Sequence, residues 1–188
     1  MKSVFPFDLS EATGIAATHH ELVIVGRIGE EAATWTSPDG RTWTVHSPLP
    51  RGSGFFNGIA AGPAGFVSLV GAPSGGIEVA PGDFRSPITP WTSTDGVTWH
   101  AGPSSPALFG AYASIVGAPG GYVAVGTIGV SDTEHLWTST NGTNWVPVAG
   151  VDLTTGASVT PVSDGRHVLL SIGGENGREL LVSDVVHG

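Results

Sequence analysis

The chain contains no cysteine, a single lysine and a single methionine among 188 residues. Only 12% of its positions are charged, about half the 25% usual in soluble domains. Without cysteine there are no disulfides, no thiol catalysis and no thiolate metal sites. Cations are scarcer than anions, with 7 Lys+Arg against 16 Asp+Glu and a formal net charge of −9. That balance argues against nucleic acid or an anionic membrane surface as a partner, because both need clustered positive charge. No apolar run reaches the roughly 18 residues of a membrane-spanning helix. The opening Met1-Lys2-Ser3-Val4-Phe5-Pro6-Phe7-Asp8 lacks the apolar core and small-residue cleavage site of an export signal, so neither export nor membrane insertion is expected. Also missing are Gly-x-Ser-x-Gly, a phosphate loop and His-Glu-x-x-His.

Turn formers and aromatics are abundant instead. The chain has 29 glycines, 14 prolines and 40% apolar residues, which suits many short strands joined by turns and predicts an all-β fold. Six tryptophans form three pairs with one spacing: Trp35 and Trp43, Trp91 and Trp99, Trp137 and Trp145, each eight residues apart. Within the pairs stand Ser37-Pro38-Asp39-Gly40-Arg41-Thr42, Ser93-Thr94-Asp95-Gly96-Val97-Thr98 and Ser139-Thr140-Asn141-Gly142-Thr143-Asn144. Asp-Gly and Asn-Gly favour tight hairpin turns, and the flanking Trp and Thr favour pleated strands, so each pair is expected to frame one hairpin. A second hairpin precedes each, for example Ile15-Ala16-Ala17 before Leu22-Val23-Ile24-Val25.

The unit therefore has four strands. From Ile15 to Ile59 is 44 residues, from Ile59 to Ile115 is 56, and from Ile115 to Val159 is 44 again. Residues after Val159, joined to those up to Ile15, make one more 44-residue period. Four short strands in such a period predict a β-propeller blade. The expected architecture is a single four-bladed propeller, with blades at about 11–46, 55–102, 111–149 and 155–188 plus 1–8. In each blade the first and second tryptophans mark the third and fourth strands. Blade four lacks a Trp hairpin, so Ser3 to Phe7 is expected to supply its last strand and close the ring. The alternative is two chains exchanging terminal strands in an eight-bladed ring.

The Ser-x-Asp-Gly-x-Thr-Trp core of Ser37 to Trp43 and of Ser93 to Trp99 resembles the Asp-box, or BNR, repeat of sialidase-like propellers. Here Asp and Gly are adjacent, the third copy carries Asn141 and Asn144, and the fourth is reduced to Ser183-Asp184. The resemblance implies a propeller whose boxes are structural turns at the blade periphery, remote from any ligand. Sialidase-class enzymes also use larger propellers with an arginine cluster on a substrate carboxylate. Arg27, Arg41, Arg51, Arg85, Arg166 and Arg178 fall instead on different loops.

Recurrence at equivalent places assigns the tryptophans to packing between blades. The seven histidines show no metal-ligand spacing, and turn aspartates bond their own backbone, so no catalytic residue, metal or cofactor is expected. The one large irregularity is the 12-residue excess of the second repeat, within Gly71 to Pro87. Variable insertions in repeat proteins lie on a binding face, which makes Asp83, Phe84 and Arg85 candidate binding residues together with Phe56, His100 and Tyr112 of the blade crossovers. The same face offers Glu30, Glu31, Arg51, Phe55, Glu134 and His135. These readings lead to a non-catalytic module that recognises a glycan or a protein. A structural part of a larger assembly, such as a virion tail or capsid, is the second expectation, and a glycoside hydrolase is the remote third.

Overall fold

The computed structural model describes residues 11–71, 77–80, 83–85, 88–103, 113–127, 134–149, 158–174 and 177–184. Every element among them is a β-strand. Blade one is an antiparallel meander of β1 (Ala12–Ala17), β2 (Leu22–Ile28), β3 (Glu31–Ser37) and β4 (Thr44–His46). Blade two starts with β5 (Phe55–Gly62) and β6 (Gly65–Gly71), departs into a separate hairpin of β7 (Ile77–Ala80) and β8 (Asp83–Arg85), and resumes with β9 (Ile88–Ser93) and β10 (His100–Ala101). Blade three comprises β11 (Ala113–Ala118), β12 (Gly121–Thr127), β13 (Glu134–Ser139) and β14 (Val146–Pro147). Blade four shows β15 (Ser158–Ser163), β16 (His167–Gly174) and β17 (Gly177–Asp184).

The inner strands β1, β5, β11 and β15 pack in sequence, β1 on β5, β5 on β11 and β11 on β15. A cavity of about 300 Å³, lined by Ala16, Ala60, Val116 and Ser163 from all four blades, marks their common axis. The molecule is the all-β, four-bladed propeller that the repeat predicts. The N-terminal strand expected to complete blade four falls on residues outside those described.

Antiparallel meandering fixes the two ends of the molecule. Inner strands run from the upper end to the lower, so the turns joining second and third strands lie at the upper end with the crossovers between blades. Turns from first to second and from third to fourth strands lie at the lower end.

Packing between blades follows the period-two alternation of strands. Val23 and Val25 of β2 face blade two and share a core with Phe56, Phe66, Val70 and Trp99. Val67 and Leu69 of β6 face blade three and share a core with Tyr122, Trp137 and Trp145. Val123 and Val125 meet Val159, Val168 and Leu170 of blade four. Both tryptophans of a pair face the preceding blade, because the register Trp35↔Val45 and Trp137↔Pro147 returns the chain on the same side.

The predicted tight hairpins are corrected in one respect. The third strand ends at the serine and the fourth begins only after the second tryptophan, at Thr44, His100 and Val146. A side-chain network replaces the two-residue turn. Asp95 Oδ1 accepts the N–H groups of Val97 and Thr98, each at 2.8 Å, while Ser93 Oγ accepts that of Gly96 at 2.8 Å. Asp39 with Ser37 and Asn141 with Ser139 repeat the arrangement. Gly40, Gly96 and Gly142 adopt φ of 71°, 71° and 77°, the left-handed region that penalises a Cβ.

These turns also seat one blade on the next. A Cβ on Gly96 would stand 2.4 Å from Val23 Cγ2, and one on Gly142 would stand 2.3 Å from Val67 Cγ2. The Gly96 carbonyl accepts both the indole N–H of Trp99 and the hydroxyl of Thr34 from blade one, each at 3.0 Å. Tyr122 adds a second strut, donating its hydroxyl to the Gly65 carbonyl at 3.0 Å and accepting the Ala64 N–H at 3.1 Å. Burial raises the Tyr122 pKa, so it stays a neutral donor.

Two outcomes are expected. Gly96→Ala should cost roughly 2–4 kcal/mol, combining left-handed strain with overpacking against Val23, whereas Gly40→Ala should cost only about 1–2 kcal/mol, since nothing lies within 4 Å of its Cβ position. Equal losses in urea melts would refute the seating. Asp95 titrates below its ordinary value: partial desolvation opposes the shift, but the N–H groups of Thr98 and Val97 outweigh it. A lowered folded-state pKa contributes stability above the unfolded value near 3.8 and loses it as pH falls through the folded one. Asp95→Asn, copying Asn141, should cost under about 1 kcal/mol at pH 7 and abolish that acid-dependent part, whereas Asp95→Ala should cost about 1–2 kcal/mol.

Candidate functional site

The sequence candidates do not come together as one site. Phe56 is 1% exposed and packs 5.2 Å from the Trp99 ring, centroid to centroid. Its role as a ligand contact is corrected to that of a core residue, because β5 turns this side chain towards blade one. His100 is exposed on β10, the outermost strand of blade two, opposite Thr92. It therefore sits at the periphery, just past the lower-end turn, and is not on the crossover face. Asp83, Phe84 and Arg85 form β8, paired with β7 through Ile77↔Arg85 and Glu78↔Phe84, and their side chains lie outside the described residues. Tyr112 also lies outside them.

At the upper end, polar side chains meet at two separate blade junctions instead. Arg27, near the end of β2, donates its Nε–H to Glu11 Oε2 and lies 5.7 Å over the Phe55 ring. Glu11 immediately precedes β1, so this contact ties the start of the inner strand to the second strand and to blade two. Glu31 opens β3, and its carboxylate meets Arg51 Nη2 at 2.7 Å across the crossover to blade two. Beside the Glu31–Arg51 pair runs a groove of about 510 Å³, lined by Ala32, Leu49 and Pro50 together with Glu30, Glu31, Arg51 and Phe55. Gly54 lets the crossover enter β5 closely: its φ is 106°, and a Cβ there would stand 1.8 Å from the Gly71 carbonyl oxygen.

A third carboxylate spans the next gap. Glu134, the first residue of β13, accepts the backbone N–H of Val159 at 2.8 Å, at the start of the inner strand of blade four. Burial pushes its pKa above the ordinary glutamate value, and the Val159 hydrogen bond offsets only part of that. Glu134 is thus a carboxyl with a raised pKa at the junction of blades three and four, while Glu11 and Glu31 are ion-paired carboxylates on the same end. Such a combination can donate a proton at one group and present negative charge at another. Among the described residues no group of three or more His, Asp or Glu side chains is arranged to hold a metal ion.

Sequence reasoning had placed Glu31, Arg51, Phe55 and Glu134 on the loop face but had not singled them out, and it missed Glu11 and Arg27. Their signal was available only by position, as residues at the upper ends of strands.

No protein-family model matches the sequence, and no curated protein matches it. Solved structures do match its fold. A GH32 β-fructofuranosidase of Bombyx mori superposes with a TM-score of 0.57 at 12% identity, over 86% of this chain and 40% of that one. A structure from the GH130 family, described as mannoside phosphorylases that include glycoside hydrolases targeting β-1,2 mannosidic linkages in Candida mannan, gives 0.53 at 13% identity, over 90% and 62%. A family 117 glycoside hydrolase of the marine bacterium Zobellia galactanivorans gives 0.53 at 11% identity, over 89% and 58%. At such identities the likeness establishes the fold, and the chain spans 40 to 62% of the length of these structures. The expectation of a non-catalytic recognition or assembly module, and of no enzyme, is corrected by these neighbours, which are named as glycoside hydrolases or phosphorylases.

The Arg51 and Glu31 side chains are largely solvated, and exposed ion pairs add little to stability. Arg51→Ala should accordingly change unfolding free energy by less than about 1 kcal/mol. A loss of several kcal/mol in chemical denaturation would make the groove wall part of the fold's support.

Proposed function

We propose that the chain acts on glycosides at its upper end, with Glu134 as proton donor to the departing oxygen and the ion-paired Glu11 and Glu31 as the negative side of the site. The observation that carries this reading is Glu134 itself, a half-buried carboxyl with a raised pKa at the junction of blades three and four. Glycoside cleavage needs one carboxyl that holds a proton and one that does not, because the leaving oxygen is protonated while positive charge builds on the sugar. Arg27, held between Glu11 and the Phe55 ring, fixes the orientation of the Glu11 carboxylate. The fold shared with enzymes named for fructosides and mannosides supports the same reading. The Ser-Asp turns, which resemble Asp boxes, take no part in the chemistry, since they lie at the lower end and use their carboxylates on their own backbone.

Turnover of aryl glycosides, β-fructosides and β-mannosides by the purified chain tests the proposal. Glu134→Gln should keep the melting temperature and lower kcat/KM by roughly 10²–10⁴-fold. Because the acid form is the active one, the wild-type rate should fall as pH rises through the raised Glu134 pKa, and the variant should lack that limb. An unchanged rate in Glu134→Gln, or no turnover of any glycoside by the wild type, would reject the assignment.

A further inference from the structure

The chain carries three Asn-Gly pairs, Asn57-Gly58, Asn141-Gly142 and Asn176-Gly177. The first lies in β5, the second in the turn that seats blade three on blade two, and Asn176 outside the described residues. An asparagine before glycine is prone to lose its side-chain amide, because no side chain on the next residue keeps that residue's backbone nitrogen from the asparagine Cγ. The nitrogen–Cγ bond forms, the Cγ–Nδ2 bond breaks, and ammonia leaves with the proton of the attacking nitrogen. Water then opens the cyclic imide, at the side-chain carbonyl to give aspartate or at the backbone carbonyl to give isoaspartate. Gly142 cannot be exchanged for a bulkier residue that would slow this reaction: its φ is 77°, and a Cβ would stand 2.3 Å from Val67 Cγ2. The bare backbone that the seat requires is therefore also what leaves Asn141 chemically exposed.

The folded turn withholds the nucleophile. Gly142 donates its N–H to Ser139 Oγ at 2.8 Å in a buried hydrogen bond, so the nitrogen keeps its proton and is directed at the serine. Asn141 Oδ1 accepts the N–H groups of Thr143 at 3.0 Å and Asn144 at 2.9 Å and the Ser139 hydroxyl at 3.2 Å, which fixes the carboxamide in place. Those three bonds polarise the carbonyl and by themselves favour attack, so the protection rests on the Gly142–Ser139 bond. We propose that Asn141 is a site of spontaneous modification that the closed turn guards and that opening of the seat between blades two and three releases. The two products differ in consequence. Aspartate keeps the turn, since Asp95 makes the same bonds in blade two, whereas isoaspartate routes the backbone through the side-chain carbon and lengthens the turn, so that an opening which reacts this way is not undone by refolding.

Incubation of the whole chain in mildly alkaline buffer, folded or in urea, followed by peptide mass spectrometry and isoaspartate-specific methylation, reads each Asn-Gly pair separately. In urea the three pairs share one chemistry and should react at similar rates. In the folded chain Asn141 should react at least about tenfold more slowly than in urea, because its rate then scales with the population of the open turn. Ser139→Ala should raise the folded-state rate at Asn141 several-fold, whereas Ser93→Ala, which loosens the equivalent turn of blade two, should leave it unchanged. Equal rates at Asn141 in folded and unfolded wild type overturn the proposal, and this comparison needs no variant to fold. An unchanged rate in Ser139→Ala, or an equal rise in Ser93→Ala that traces the reaction to general unfolding, overturns it as well. The readouts are mass and isoaspartate content, so they are independent of whether the upper end cleaves glycosides.

Discussion

The structure rests on one repeated contact, a lower-end turn pressed against the valine face of the preceding blade. Neither component would work alone. The turn must be narrow enough to approach Val23 or Val67, which requires glycine, and it must hold its shape without ladder hydrogen bonds, which the Ser and Asp or Asn side chains supply. Trp99 and Trp145, which end the second and third turns, bury their rings against the same face while their indole N–H groups satisfy the carbonyls of Gly96 and Gly142. Hydrophobic burial, backbone conformation and polar satisfaction are thereby linked in one short segment, and substituting any of its residues disturbs all three.

That arrangement leaves the two ends of the propeller with different chemistry. At the lower end the carboxylates are spent on the backbone. Asp164, in the first turn of blade four, is a further case: the N–H and ring of His167 and the N–H of Arg166 hold its pKa well below the ordinary value. At the upper end Glu11, Glu31 and Glu134 reach across to other strands or other blades. Of these, Glu31 also borders the open groove, whereas the carboxylates that cap turns are taken up by their own backbone. The contrast explains why the glycoside-processing reading attaches to the upper end although both ends are acidic.

Trp-x₇-Trp spacing, the 44-residue period and the Asp-Gly turns made the blades legible from the sequence, since strand alternation and turn chemistry are local and recur. The shape of the turn was less legible: Asp-Gly suggested a two-residue hairpin, and the actual turn depends on Ser37, Ser93 and Ser139 bonding backbone N–H groups three residues on. The face on which Phe56 points was not legible either, because the register of β5 on β6 shifts between Phe56 and Ile59. Nor was the grouping of Glu11, Arg27 and Phe55, or of Glu134 with Val159, visible along the chain. Those residues come from different strands and blades, and their proximity arises only when the meanders are wrapped about a common axis. Local periodicity thus determined the fold, whereas the wrapping of one blade on the next decided which carboxylates cap turns and which reach across to other strands and blades.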